Sequence, residues 1–495
     1  MTIKPRHRLI CFVALFKFAL VHCNAGIIIL HSFSALTNGT NQDGANPTAG
    51  LALCGNVLCG NTFNGGLQGA GTAFYVAPDA SAFNAFHSFA NTPDSGSPQG
   101  DLVVAGGRFF GTSFAGGTVG TGTIFAGQTN GTVSPILNFA AVDPDTATNA
   151  TGACPAAAVI LSPAGTILYG VASAGGFYAN GVIFSATTNG ATISVLHAFT
   201  SLDSNAGTNA DGATPFGELT LSGGILYGTT SAGGAGGSGT VFSVGTNGNN
   251  FTTLYSFSAV DPVTGTNTDG AIPCSGLILS NGVIYGTTMA GGNAGNGVVF
   301  SVATNGSNFA VLHQFTPVDA AARTNTDGAK PVAGLLVSCG TLYGTASAGG
   351  SGGSGAVFSL GTNGSQFQTL YDFSTVDSGT GTNADGACPA GDLAQVGTSL
   401  YGTASAGGAG GVGTVFSLTL PAVITQIAPN PDGAVTLSFL GGPGSTNVVQ
   451  ATTVLEPSAS WQSVSTNKAD IGGAWHFTDP NAGGISLQFY RSYSP

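Results

Sequence analysis

Leu277-Ile278-Leu279-Ser280-Asn281-Gly282-Val283-Ile284-Tyr285-Gly286-Thr287-Thr288 holds two short apolar runs joined by an Asn-Gly pair. The runs carry the β-branched and aromatic residues that suit a pleated surface. A two-residue type I′ hairpin needs positive φ at both central positions, which Asn-Gly supplies. The stretch therefore reads as a β-hairpin. Downstream, the glycine-rich Ala290–Gly297 leads to Val298-Val299-Phe300-Ser301-Val302, and Thr304-Asn305-Gly306 leads to Phe309–Phe315. Four strands separated by turn chemistry result.

The same pattern recurs along the chain. Tyr169-Gly170, Tyr227-Gly228-Thr229, Tyr285-Gly286-Thr287, Tyr343-Gly344-Thr345 and Tyr401-Gly402-Thr403 follow one another every 58 residues. Phe110-Gly111-Thr112 lies 59 residues before Tyr169, and Cys59-Gly60-Asn61 lies 51 before Phe110. Seven copies of one supersecondary unit are implied. Outside the N-terminus no segment shows a capped helical period, so the class is all-β.

Three connections within a unit are short, and one, from Phe257 to Pro273, is long. A unit is then a four-stranded antiparallel meander, and the long loop leads to the next. The last unit stops at Val415-Phe416-Ser417-Leu418, without its fourth run. The missing run stands at the other end, as Ile27–Phe33. An N-terminal strand completing the last meander closes a ring, so the expectation is a seven-bladed β-propeller of four-stranded blades. The alternative is an open β-solenoid, which calls for polar end caps.

Composition agrees with a packed radial array. Glycine accounts for 81 of 495 residues, while charged residues are 6%. The formal net charge is −12, and Lys4, Arg6, Arg8 and Lys17 all fall near the N-terminus. Beyond them stand Arg108, Arg323, Lys330, Lys468 and Arg491 against 21 acidic residues. Phosphate backbones and anionic membrane surfaces need clustered cations, so nucleic acid is excluded as a partner class.

The segment 1–25 joins a basic start, an apolar Leu9–Val21 and small residues at Cys23-Asn24-Ala25, and reads as a signal peptide. The mature chain, with no expected transmembrane span, is then exported as a monomer. Cysteines 54, 59, 154, 274, 339 and 388 follow no repeat position. Cys54 and Cys59 share a hairpin without being directly opposite. No disulfide framework can be read, and small buried hydrophobes are the simpler reading.

The words Leu-Tyr-Gly-Thr, Ser-Ala-Gly-Gly, Gly-Thr-Val-Phe-Ser and Thr-Asn-Gly, in that order at 226–248 and nearly so at 342–364, resemble the GloVer tandem repeat of exported bacterial surface proteins. The resemblance covers about residues 27–420. It implies secretion or cell-surface attachment and carries no activity with it. From Pro421 to Pro495 a different module follows, without the sorting helix of anchored relatives. Its short runs, Val435–Phe439, Thr446–Thr452, Trp461–Val464, Ala474–Phe477 and Leu487–Tyr490, fit a small β-sandwich of immunoglobulin or fibronectin-III type. The expected domains are thus 1–25, 26–420 and 421–495.

Three sets of polar residues invite a functional reading. His31, His87, His197 and His313 share one slot, filled elsewhere by Tyr255, Tyr371 and Asn138. A residue that obeys the repeat and exchanges with tyrosine reads as structural. The long loops carry Asp203/Asn209/Asp211 and its copies, oxygen donors that could hold Ca²⁺. Asn-x-Asp-Gly is also ordinary turn chemistry, and no cofactor is otherwise expected.

The third set breaks the repeat. The position before the first strand is Gly50, Asp101, Ala158, Glu218, Gly276, Gly334 and Asp392 in successive units. With the first strand innermost, Asp101, Glu218 and Asp392 form an acidic rim at one mouth of the channel. Such a rim suits a cation or a polyhydroxylated ligand; three hydrated carboxylates are the simpler alternative. No nucleophile elbow, zinc motif or phosphate loop is present. The sequence therefore points to a non-catalytic exported protein for surface display, adhesion or glycan binding through its loops. The alternative is a hydrolase or lyase acting on polysaccharide at the channel.

Overall fold

The computed structural model describes residues 26–420 and, beyond them, 423–430, 432, 434–440, 446–453, 461–470, 474–482 and 489–493. The segment read as a signal peptide, 1–25, lies outside the described residues. All elements described are β-strands, and among the described residues no helix is long and apolar enough to cross a membrane.

The hairpin at 277–288 forms as its turn chemistry demands. Strand Ile278–Ser280 pairs antiparallel with Val283–Thr288, and Asn281 and Gly282 sit at φ 52° and 77°. Val283–Thr288 pairs in turn with Val298–Ala303, and that strand with Ala310–Gln314. The last pairing carries a bulge, with Phe300 opposite Val311 and Val299 opposite His313. An extra residue in one strand re-aims the side chains beyond it. The same irregularity recurs in every unit.

Seven sheets of this kind occupy residues 27–419. Three of them carry a fifth short strand, Ser95–Pro98, Ala213–Pro215 or Ala387–Pro389, which corrects the uniform four-stranded expectation. The cause is the Ala/Gly-x-Pro segment that ends each long loop. It lies beside the far end of the second strand, which extends past the shorter first strand. In unit five this pairing shrinks to a single bridge, Ala271 to Ala290.

Strand Ile27–Ser32 pairs antiparallel with Thr414–Thr419, Ile27 opposite Leu418 and Ser32 opposite Thr414. Apolar clusters join each sheet to the next. Tyr227, Val241 and Phe257 of unit four pack with Leu277, Ile284 and Phe300 of unit five. Equivalent clusters join the other neighbours, and Phe33 and Tyr401 pack with Leu51 and Phe74, so the last sheet touches the first. Full burial of a phenylalanine is worth roughly 1.5–3 kcal/mol, so seven such interfaces dominate the stability. This arrangement is a β-propeller.

The invariant glycine of the repeated word has a specific cause. A Cβ on Gly286 would lie 2.6 Å from Phe300 Cζ and 2.8 Å from Leu277 Cδ2. The two side chains meet directly over the glycine, and no larger residue fits beneath them.

Cys54 and Cys59 are joined by a disulfide, although Cys59 faces Ala52 in the strand register. Cys154, Cys274, Cys339 and Cys388 are unpaired, and Cys339 and Cys388 are exposed. The reading of all six as small buried hydrophobes is corrected accordingly. Toward the C-terminus, Val423–Pro429, Val435–Leu440 and Ala474–Asp479 form one three-stranded sheet. Thr446–Thr452, Gln462–Lys468 and Phe489–Tyr493 form another. Leu437, Phe439, Val449 and Trp475 make their shared core, with the Phe439 and Trp475 rings stacked at 3.9 Å.

Candidate functional site

The threonine of the repeated word sets the inner residues of the next unit. Thr112 Oγ1 donates to the carbonyl of Ala157 at 2.7 Å, Thr229 to Ser275 at 3.1 Å, and Thr287 to Ala333 at 3.1 Å. Asn61 Nδ2, in the divergent first unit, donates to Gly100 at 2.9 Å. Each acceptor immediately precedes the position occupied by Asp101, Ala158, Gly276 or Gly334. A word that reads as strand sequence thus fixes the backbone from which the channel residues project.

A second positioning device was not legible in the sequence. The residue before each loop-ending proline has positive φ: Asn46, Ser97, Cys154, Thr214, Ile272, Lys330 and Cys388, between 52° and 58°. For β-branched Thr214 and Ile272 that conformation is strained. Hydrogen bonds on both sides hold it: Ile272 N–H donates to Ser238 O of the preceding unit at 2.9 Å, and Ile272 O accepts from Met289 N–H of its own unit at 3.1 Å. The residue following each proline then turns inward. Thr48, Gln99, Ala156, Phe216, Cys274, Val332 and Ala390 all line one cavity of about 490 Å³. Every unit contributes one of them.

Below this layer the three sequence-predicted acids come together. Asp101, Glu218 and Asp392 each present an oxygen within 4.8 Å of the other two. Asp101 and Asp392 lie in units whose predecessor has glycine at the same register position. Asp101 Oδ1 accepts from Gly50 N–H at 2.6 Å, and Asp392 Oδ1 from Gly334 N–H at 2.6 Å. A Cβ on Gly50 would lie 2.5 Å from Asp101 Oδ2, and one on Gly334 2.6 Å from Asp392 Oδ2. The glycines thus leave the space that the acids fill.

Glu218 and Asp392 line both the large cavity and a second one of about 300 Å³, walled by Leu219, Leu277 and Leu335. No Lys, Arg or His lines either cavity. Burial pushes the Asp101 carboxyl up to about 7, reinforced by the Asp392 charge and opposed by the Gly50 N–H. Burial, with the charges of Asp101 and Asp392, holds Glu218 well above the carboxylate range. Asp392 is raised by burial, against the pull of Gly334 N–H. Three half-buried acids with no cationic side chain beside them favour sharing protons or taking up a cation. Their oxygens fit part of a hard-cation shell; Ca²⁺ takes about six to eight oxygens, so the rest would come from elsewhere.

The histidine slot is structural. The bulge turns His197 Nε2 to Asp211 Oδ2 at 2.9 Å and His313 Nε2 to Asp327 Oδ2 at 2.9 Å. His31 and His87 reach Asp43 and Asp94 in the same way. Tyr255 and Tyr371 substitute because their hydroxyls donate to Asp269 at 2.8 Å and Asp385 at 2.6 Å. Unit two, with Asn138 in the slot, has Thr151 where the others have that aspartate. At His31, His197, Tyr255 and His313 a phenylalanine from the following unit covers the ring, as Phe251 stacks on His197 at 3.8 Å and Phe309 on Tyr255 at 3.7 Å.

The long-loop oxygens proposed for Ca²⁺ meet the chain's own donors instead. Asp203 Oδ1 accepts from the N–H groups of Asn205 and Ala206, and Asn209 Oδ1 from those of Gly212 and Gly234. Asp211 is engaged by His197 and Thr200. These are turn and loop-anchoring bonds.

The fold and its cavity define a tandem-repeat β-propeller protein. The chain belongs to the Gloeobacter/Verrucomicrobia repeat family, whose model matches residues 14–209, 133–270 and 205–326. No curated protein matches it. Among solved structures, an oligogalacturonate lyase in complex with manganese is similar over 80% of this chain and 93% of its own, at 7% identity and a TM-score of 0.45. The periplasmic gluconolactonase of Pseudomonas aeruginosa is similar over 67% of this chain and 86% of its own, at 15% identity and a TM-score of 0.42. Likenesses this distant carry no argument about chemistry.

Proposed function

We propose that this chain is an exported, non-catalytic binding protein, built as a closed ring of seven blades with a separate C-terminal β-sandwich module. In this reading Ile27–Ser32 completes the seventh blade, residues 26–420 form the ring, and 421–495 form the second domain. Its role is display, adhesion or glycan binding at the cell surface, with a ligand site in the channel. One observation carries the site: three acids that depart from the repeat, in units far apart in sequence, meet in the lining of a cavity to which every unit contributes. A residue kept for folding alone would follow the repeat, as the histidine slot does. Calorimetric titration with Ca²⁺ and with neutral oligosaccharides, wild type against Asp101→Ala/Glu218→Ala/Asp392→Ala, tests it. Identical isotherms with every ligand would end the reading.

A second reading has one observation in its favour. Asp101, poised at about 7, has the proton affinity that a general acid needs at neutral pH. A hydrolase or lyase acting on polysaccharide at this cavity would use it. Release of reducing ends from a polysaccharide panel, lost in Asp101→Asn, would favour catalysis over binding.

A further inference from the structure

The walls of the large cavity are as informative as its acids. The position after the loop-ending proline is inside the cavity in all seven units, yet its chemistry is not uniform. Units four, five and six place Phe216, Cys274 and Val332 there, joined by Ile272 and Met289 nearer the corner. Units one and two place Thr48 and Gln99 on the wall. Folding needs no such division, because Ala156 and Ala390 occupy the same position without consequence for the strands. The cavity therefore has an apolar side, a polar side and an acidic floor.

The floor lacks a partner of its own. Among the described residues no hydrogen bond reaches the Glu218 carboxyl, and no cationic side chain lines the space. Two of the six carboxylate oxygens are taken by Gly50 and Gly334 N–H groups. All three acids line a cavity of about 490 Å³, within the range of about 300–1,000 Å³ usual for small-molecule sites.

Resting on the reading of this cavity as the ligand site, we propose that its ligand is an organic ammonium ion. The charged nitrogen would meet Asp101, Glu218 and Asp392, and an apolar body would lie against Phe216, Cys274 and Val332. A bare divalent ion would leave the apolar side without a role. A neutral sugar would leave three half-buried carboxylates without a countercharge. An aromatic face beside the path of the cation adds attraction that a hydrated metal ion does not exploit. The polar side, Thr48 and Gln99, supplies hydrogen-bonding groups for a substituent on the ligand.

The test is calorimetry on the full chain with 2-phenylethylammonium, its neutral counterpart 2-phenylethanol, CaCl₂ and a neutral oligosaccharide. The expected result is that the ammonium binds at least tenfold more tightly than the alcohol, more tightly at pH 8 than at pH 5. Glu218→Gln should weaken the ammonium at least tenfold. Phe216→Ala should weaken it while leaving any Ca²⁺ isotherm unchanged, and thermal melts of both variants check that they fold. Equal binding of ammonium and alcohol overturns the proposal. Binding of Ca²⁺ or oligosaccharide alone, lost in the triple alanine variant, also overturns it but leaves the cavity as the ligand site. Silence from all four probes overturns both.

Discussion

Thr403 Oγ1 donates a hydrogen bond of 2.7 Å to the carbonyl of Ala49, 354 residues earlier in the chain. It is the same bond that Thr229 makes to Ser275, only 46 residues away. A local contact of the repeat thus recurs between the two ends of the repeat region, beside the pairing of Ile27–Ser32 with Thr414–Thr419. Removing residues 26–33 should therefore expose a full strand edge at Thr414–Thr419 and unfold the protein cooperatively at much lower denaturant. Thr403→Val should cost about 1–3 kcal/mol, the penalty for a buried carbonyl losing its donor. Urea denaturation followed by far-UV circular dichroism measures both. A truncated chain as stable as the full one would contradict the closing role of that strand.

Gly286→Ala should be among the most harmful small substitutions. The new methyl would lie 2.6 Å from Phe300 Cζ, in a cluster with Leu277 and Ile284. Overpacking of this kind costs about 1–3 kcal/mol or more. Gly282→Ala, where nothing lies within 4 Å, should cost less, through its positive φ alone. Thermal melts of the two variants should keep that order.

The acidic cluster should make the protein less stable as pH rises. The Asp101 carboxyl binds its proton more tightly folded, at about 7, than unfolded, near the ordinary aspartate value of 3.8. The folded chain then holds more protons than the unfolded chain between those values, and stability falls across that window. Below about 4 the stabilisation is complete; above about 7 it is gone. Asp101→Asn should accordingly raise the melting temperature at pH 8 and change it little at pH 4. A melting shift equal at both pH values would show that the carboxyl is not held protonated.

His197→Tyr should be nearly neutral, whereas His197→Ala should cost about 1–3 kcal/mol through loss of the bond to a charged partner. Tyrosine already bonds the corresponding aspartate in units four and six. For Asp211, burial raises the carboxyl, but bonds from His197 and Thr200 outweigh it and hold it below its ordinary value. The stability it contributes is present above the usual aspartate range and is lost as pH falls below it. Urea midpoints at pH 7 and pH 3 should therefore differ less in His197→Ala than in wild type.

Much of the architecture could be read from the chain, and particular residues show why. Asn281-Gly282 dictates its hairpin through backbone sterics that need no neighbour. The 58-residue period copies that decision along the chain, and the unmatched run Ile27–Phe33 announces its own partner. Asp101, Glu218 and Asp392 stood out because they depart from a repeat that everything around them obeys. The strained residues before the prolines were invisible, since Thr214 and Ile272 are not residues that sequence rules assign to positive φ. Their conformation is imposed by hydrogen bonds to the preceding unit. The fifth strands, the bond between Cys54 and Cys59, and the pairing of each slot histidine with a loop aspartate were hidden because each depends on how neighbouring segments of the folded chain meet.

By itself, then, the sequence determined the strands, their turns and the repeating unit, because those follow from local sterics and from repetition. Only the tertiary structure decided that the three acids meet, that glycines of other units make room for them, and that one side of the cavity they line is apolar. Those are distances between residues tens to hundreds of positions apart. They are fixed by how sheets pack against one another, which no local preference encodes.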